Sequence, residues 1–174
     1  MSEAERRRFL ANILADAERL GALVGRLREL ARADAPPVIG EAALGPAIAA
    51  LRLAVPGLTI ELRGEETLAV PMSAENLGIV LSHLADNARR HGADRLDIAA
   101  HRDADGLSLR IADDGSGIQP ANRERIFEAF FTTRREEGGT GMGLAIVRAL
   151  VERHGGTIAL DEAARGASFV IRLP

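Results

Sequence analysis

Residues 132–147 read TTRREEGGTGMGLAIV: a charged run becomes a cluster of glycines, Gly138, Gly139, Gly141 and Gly143, and passes directly into an apolar helical pattern. Glycines that lead into a helix bare successive backbone N–H groups at its positive end, a combination that binds phosphate without any side-chain charge. The run is not a Rossmann fingerprint, because no strand precedes it and its spacing differs from GxGxxG. A plain flexible loop is the alternative, since glycine-rich stretches also serve as linkers. The preceding TTRREE has the composition of a mobile lid.

The chain makes side-chain-free phosphate binding relevant, because it has no lysine: all 22 of its basic residues are arginine. That excludes a Walker phosphate loop, a lysine Schiff base and the strand lysine of protein kinases. There is no cysteine, so disulfides, zinc thiolate sites and a cysteine nucleophile are excluded too. No apolar run approaches the roughly 20 residues of a membrane helix, and no signal core follows the arginine-rich start, so a soluble chain is expected. A net charge of −3 with both signs interspersed, and no tryptophan or tyrosine, gives neither a basic field nor stacking surfaces for nucleic acid, and none is expected as a partner. At 174 residues, with 47% hydrophobic and 27% charged, the composition suits one globular domain with a helical appendage.

That appendage is legible as a heptad seam. Phe9, Ile13, Ala17, Leu20, Val24, Leu27 and Ala31 recur at steps of three and four through a proline-free stretch, which predicts a long amphipathic helix whose seam packs on another helix. Pro36 and Pro37 end it, dividing the chain into 1–35 and 36–174. Beyond the break, helices and strands alternate. A helix is predicted for Glu41 to Ala54, short strands for LTIELR and TLAV, and a helix for Ser73 to His91 with Ser73 as N-cap and Glu75 in the first turn. RLDIAAHR and LSLRIAD form a hairpin around Asp105 and Gly106. A short helix near Asn122 to Phe127, a helix from about Met142 to His154, and closing strands GTIAL and ASFVIRL complete the pattern.

Besides the glycine run, two constellations can carry chemistry. On the Ser73 helix, Leu77, Val80, Leu81, Leu84 and Ala88 form the buried stripe, while His83, Asn87, Arg90 and His91 share an adjoining polar one. An asparagine carboxamide is a hard oxygen ligand suited to magnesium, and Arg90 one turn on can reach a phosphate; a solvated helix face is the bland reading. His83 and His91 alone supply only half of a tetrahedral zinc set. In IADDGSGI, residues 111–118, a carboxylate fixed at a strand end beside glycines can accept from an exocyclic amine such as that of adenine, although Asp and Gly are also ordinary turn residues. In RIFEAFFTT, Phe127, Phe130 and Phe131 read as core aromatics anchoring the base of the lid.

In this order, the segments resemble the ATP-binding domain of sensor histidine kinases, in the superfamily shared with gyrase and mismatch-repair ATPases. LSHLADNARRHGA resembles the N box, DDGSGI the first glycine box, RIFEAFF the F box and GGTGMGLAIV the second glycine box, over about Ser73 to Pro174. The resemblance implies an α+β fold, a two-layer α/β sandwich of the Bergerat type with a mixed sheet covered by helices on one face, and ATP held between the N-box helix and the lid. It implies that Asn87 ligates Mg2+, that Arg90 and His91 lie near the phosphates, and that Asp113 binds the adenine amine between Gly115 and Gly117. Ile118, Gly139, Thr140, Gly141, Met142, Gly143 and Leu144 would complete the nucleotide site. His91 stands where the family commonly has tyrosine, and Asp114 where it commonly has asparagine.

The heptad helix resembles the second helix of the kinase dimerisation and phosphotransfer hairpin. The first helix of that hairpin carries the phosphoacceptor histidine in the family, whereas His83, His91, His101 and His154 all fall in the α/β portion. The resemblance therefore implies transfer from ATP to a histidine on another segment, relay to a response-regulator aspartate, homodimerisation through the N-terminal helix, and a cytoplasmic location. Gyrase-type machines that hydrolyse ATP carry a water-activating glutamate where this chain has His83, which favours transfer, although a neutral histidine can act as a base. Anti-sigma-factor serine kinases, a third reading, need no dimerisation arm.

Overall fold

The computed structural model describes residues 2, 3, 5–10, 12–14, 21, 24, 25, 40–134, 139–163 and 165–174. Phe9, Ile13 and Val24 of the heptad seam are helical and solvent-exposed. Ala17, Leu20, Leu27 and Ala31 lie outside the described residues, as do Pro36, Pro37, Gly138 and the charged positions 135–137.

From Gly40 onward the order is β1 (Ala42–Ala43), α1 (Leu44–Ala54), β2 (Thr59–Arg63), β3 (Ala69–Val70), α2 (Ala74–Arg90), β4 (Arg95–Asp103), β5 (Gly106–Asp113), a single 3-10 turn (Pro120–Asn122), α3 (Gly143–Arg153), β6 (Thr157–Asp161) and β7 (Ser168–Leu173). β1 and β3 make a small antiparallel ribbon, and the other strands form one sheet in the order β2-β4-β5-β7-β6. Only the β2–β4 pair is parallel. The sheet is therefore mixed, as the resemblance implies.

Alternation along the strands decides which face is buried. Leu62, Ile98, Ile111, Phe169 and Leu160 oppose one another in a row across the whole sheet, and Ala100, Leu109, Ile171 and Ile158 form the next. These rows meet the apolar stripes of the helices, Ile48 and Leu51 from α1, Leu77, Leu81 and Leu84 from α2, and Ile146 and Leu150 from α3, in one core. The other face is charged: Arg95 bridges Glu61 at 2.7 Å and Asp97 at 2.8 Å, and Arg110 lies 3.3 Å from Asp161. One covered and one open face make the two-layer sandwich.

The same register has a consequence for the site. The third row reads Ile60, Leu96, Asp113, so a carboxylate stands at a position whose neighbours are aliphatic, on the helix-covered face and at the very end of β5.

Local chemistry fixes the helix that crosses above it. The Ser73 hydroxyl accepts from Asn76 N at 3.2 Å, and Glu75 and Arg89–Arg90 complement the helix dipole at the two ends of α2. Two predicted boundaries shift. The helix predicted from Glu41 begins at Leu44, because Ala42–Ala43 pair with Ala69–Val70 and the first helical N–H groups of Leu44 and Gly45 donate to Leu68 and Glu66 carbonyls. The predicted helix at Asn122 to Phe127 is instead the 3-10 turn followed by further turns: Asn122, Arg125 and Glu128 each donate to the carbonyl three residues back, after a proline that has no N–H to give.

Asp114 ties the start of β4 to the end of β5, its Oδ1 accepting from Arg95 N at 3.0 Å and Asp94 N at 2.9 Å. These backbone bonds, that from Arg95 foremost, hold its carboxyl below the ordinary value. The folded chain thus binds this proton more weakly than the unfolded chain, so the tie is at full strength above the ordinary carboxylate pKa of about 4 and is lost as pH falls through the lowered value. Asp114→Asn keeps a carbonyl acceptor but cannot titrate. The acid limb of its melting temperature against pH should be flatter than that of the parent, and superimposable acid limbs would contradict the assignment.

Candidate functional site

A cleft of about 510 Å³ opens at the end of the sheet where α2 finishes. Its first wall is the polar stripe of α2: His83, Asp86, Asn87, Arg90 and His91. The periodicity that puts Leu77, Leu81, Leu84 and Ala88 into the core turns this stripe to the side, along the cleft. The second wall is the segment after β5, with Ser116, Gly117, Ile118, Gln119 and Asn122, and the third is the lid base and the start of α3, with Phe131, Thr132, Gly139, Thr140, Gly141, Gly143 and Leu144. Arg90 and Arg134 bring two guanidinium groups to this space, and Asp86 brings a carboxylate.

Most of the residues singled out from sequence therefore converge. His83, Asn87, Arg90, His91, Gly117, Ile118, Gly139, Thr140, Gly141, Gly143 and Leu144 all line the cleft. Three do not. Met142 is buried at 1% exposure, its side chain in the core as the residue that caps α3, so only its backbone can face a ligand. Asp113 and Gly115 adjoin the lining residue Ser116 in sequence but are not themselves among the residues that line the cleft.

Asp113 is held by its own loop and by the turn before β7. Its Oδ1 accepts from Gly115 N at 2.9 Å and from Ala167 N at 3.1 Å, while its backbone N donates to Ala167 O at 2.9 Å. Both side-chain bonds fall on one oxygen. The close approach is possible only because residue 166 is glycine: a Cβ there would collide with the Asp113 carbonyl and stand 2.7 Å from Oδ1. Gly166 has no counterpart among the residues picked from sequence, since a lone glycine between two strands reads as an ordinary turn. Ser116 N donates to His91 O at 3.0 Å, joining the glycine loop to the end of α2.

The aromatics divide. Phe127 packs edge-on against the core residue Phe169, with ring centroids 6.3 Å apart, and Phe131 lines the cleft with the Arg125 guanidinium 4.4 Å from its ring centre. Phe130 departs from the expected core role: it is exposed and has φ of 67°. Its N–H donates to Gly141 O at 2.9 Å, and this bond closes the lid base on the glycine loop while the positive φ turns the ring outward.

A shallower hollow of about 380 Å³ lies beside β6, lined by Arg123, Phe127, Ile158 and Leu160 among others; it holds none of the residues named from sequence as site candidates. Among the described residues, no group of three or more His, Asp or Glu side chains is gathered as a metal cage, and no helix is long and apolar enough to cross a membrane.

The family of histidine kinase-, DNA gyrase B-, and HSP90-like ATPases matches residues 72–174, the stretch that contains every wall of the cleft. The chain belongs to this ATPase family. ATP is accordingly its nucleotide. Among relatives, the sensor histidine kinase CpxA of Escherichia coli (strain K12) is 38% identical over 99 residues, covering 54% of this chain and 22% of CpxA. The sensor-like histidine kinase SenX3 of Mycobacterium tuberculosis (strain ATCC 25618 / H37Rv) is 32% identical over 184 residues, covering 97% of this chain and 45% of SenX3. The chain thus spans less than half the length of either. Of solved structures, the mycobacterial sensor histidine kinase MprB superposes with a TM-score of 0.66 at 27% identity, over 79% of this chain and 97% of that one. Full-length ShkA in complex with AMPPNP superposes with a TM-score of 0.77 at 25% identity, over 100% of this chain and 40% of ShkA.

Two glycines of this ATPase domain should respond oppositely to the same change. At Gly141, φ is +68° and a Cβ would collide with the Phe130 carbonyl carbon and lie 2.6 Å from Phe131 O. Gly78 sits within α2 with nothing within 4 Å of an added Cβ. Urea unfolding should show Gly141→Ala destabilised by about 1 to 2 kcal/mol or more, and Gly78→Ala stabilised by about 0.5 to 1 kcal/mol. A neutral Gly141→Ala would contradict the packing described for the lid base.

Proposed function

We propose that the chain binds magnesium ATP in this cleft and transfers the terminal phosphoryl group to a histidine of a two-component sensor kinase, for relay to a response-regulator aspartate. The observation that carries the reading is the convergence of three segments on one space: the polar stripe of α2, the glycine loop after β5, and the glycines that open α3. Similarity to sensor kinases supports the transfer reaction, and the structural likeness to ShkA, solved in complex with AMPPNP, supports a nucleoside triphosphate as the ligand.

Each wall has a task. Asp113 accepts from the adenine amine, with Gly115, Gly117 and Ile118 against the flat base. Gly139, Thr140, Gly141, Gly143 and the backbone of Met142 surround the phosphates at the positive end of α3, and Leu144 packs behind them. Arg90 and Arg134 add positive charge and donors, and the His91 imidazole adds a polar group. The amide oxygen of Asn87 is a hard donor lining the cleft and fits Mg2+, which would neutralise charge on the triphosphate.

In the reaction the bond between the terminal phosphorus and the bridging oxygen breaks, a phosphorus–nitrogen bond to the acceptor imidazole forms, and ADP leaves. The chain supplies position and charge compensation. His83, where a hydrolytic relative would hold a carboxylate, favours transfer over attack by water. Of the chain's own histidines, His83 and His91 line the cleft, His101 is exposed on β4, and His154 ends α3, where its Nδ1 lies 2.8 Å from Leu150 O; none stands on the helix that carries the acceptor in the family. The acceptor therefore comes from a kinase helix hairpin, with which the seam of Phe9, Ile13 and Val24 would pack as part of a homodimer. ATP and the response regulator make a cytoplasmic location the natural one.

With radiolabelled ATP, the chain plus a dimerisation hairpin from a sensor kinase should yield acid-labile label on the hairpin and none on the chain. Asp113→Asn should weaken ATP binding by about 1.5 to 3 kcal/mol and depress the labelling in parallel. Acid-stable label, or stoichiometric label on the chain alone, would overturn the proposal.

A further inference from the structure

The five-stranded sheet has β2 at one edge and β6 at the other, and the two edges are finished differently. An edge strand turns the N–H and C=O groups of every second residue away from its neighbour, and left open they are a template for a further strand. At β2, Thr59 N donates towards β4, to Asp94 O at 2.9 Å, so Ile60, the next residue, turns its groups the other way. The Arg52 guanidinium of α1 takes up that outward carbonyl, from Nε at 3.2 Å and Nη2 at 3.1 Å. Glu61 and Arg63 add charge along the strand, and the β2 edge is blunted.

Nothing comparable protects β6. It pairs with β7 in unbroken register from Thr157↔Arg172 to Asp161↔Ser168, without a bulge or a proline. Among the described residues, no backbone group outside the sheet bonds to it. Beside this edge lies the hollow of about 380 Å³, between β6 and the turns that follow Pro120. Its floor is Phe127, Ile158 and Leu160, which pack on the core but stay partly exposed. Ile158 and Leu160 are alternate residues of β6, so a strand laid alongside would carry every second side chain over the same floor.

The rim is acidic, with Glu124, Asp161 and Glu162 against Arg123. Arg110 reaches across from β5 to lie 3.3 Å from Asp161, and it donates to Glu162 O just past the strand. Glu124 and Glu162 are exposed and have no ion pair among the described residues. No residue of the hollow lines the larger cleft, so the two surfaces are separate.

We propose that β6 and this hollow form a docking edge for an extended segment of another protein, one that alternates apolar with basic residues and adds a strand to the sheet. Main-chain bonds to β6 supply affinity, the apolar side chains fill the hollow, and the basic ones meet the acidic rim. A second copy of this chain suits the edge less well, because pairing β6 on β6 brings two acidic rims together.

The test uses the whole chain, isotopically labelled, with a short synthetic peptide of alternating valine and arginine as the probe. Amide shifts should appear along β6 and at Phe127, the outward amides of β6 should exchange more slowly with solvent, and β2 should not respond. The same peptide N-methylated along the backbone edge that meets β6 should not bind. Glutamate in place of arginine should weaken binding about tenfold or more. Glu124→Arg combined with Glu162→Arg, both at exposed positions, should weaken the arginine peptide about fivefold or more at low salt. Absence of shifts at β6, equal binding of the N-methylated peptide, or self-association of the chain through β6 that the peptide does not displace would overturn the proposal.

Discussion

The clasp at Asp113 is the contact on which the site depends. Strand β5 ends on a carboxylate that faces the covered side of the sheet, in a row with Ile60 and Leu96. A charged group there is costly unless donors reach it. Two backbone N–H groups, from Gly115 and Ala167, do so on the same oxygen. One side chain thus fixes the loop that follows β5 and the turn that precedes β7. The glycine loop then bonds back to α2 through Ser116 and His91. A group that organises the floor of the cleft is also the one proposed to read the base, so its position is settled before any nucleotide arrives, and little ordering remains to oppose binding.

Above this floor the cleft is built from two helices that meet over the sheet. α2 gives its apolar stripe to the core and its polar stripe to the cleft, while α3 begins at the mouth with Gly143 and buries Ile146, Val147 and Leu150 below. The lid base is pinned between them by the Phe130 to Gly141 bond and by Phe127 against Phe169. The glycine segment that lines the cleft is therefore tied to the core on both sides. Without lysine, a helix N-terminus, arginines and the asparagine proposed to hold Mg2+ are what the proposed function offers to meet the charge of a triphosphate.

Much of this was written in the sequence in local signals. The buried stripe of α2, its Ser73 cap, the hairpin at Asp105–Gly106 and the entry to α3 each follow from periodicity or turn chemistry within a few residues, and the structure has all of them. What was not legible is what depends on distant partners. Gly166 matters only because Asp113, far away in the chain, packs against it. Phe130 carries an apolar side chain yet faces solvent, because a hydrogen bond to Gly141 and a positive φ decide its direction. Met142 sits inside a glycine motif but belongs to the core. Asp86 looks like any exposed helix charge until the loop after β5 and the residues on the two sides of 135–138 are found to line the same space.

The claim that everything else rests on is that the nucleotide enters this cleft, and amide chemical-shift mapping tests it most directly. On titration of the isotopically labelled chain with magnesium AMPPNP, the largest shifts should cluster at Asn87, Arg90 and His91, at Gly115 to Ile118, and at Gly139 to Leu144. The open sheet face around Arg95 and Arg110 and the hollow beside β6 should stay quiet. Shifts concentrated at that hollow or on the open face, with the three cleft segments unmoved, would contradict the account.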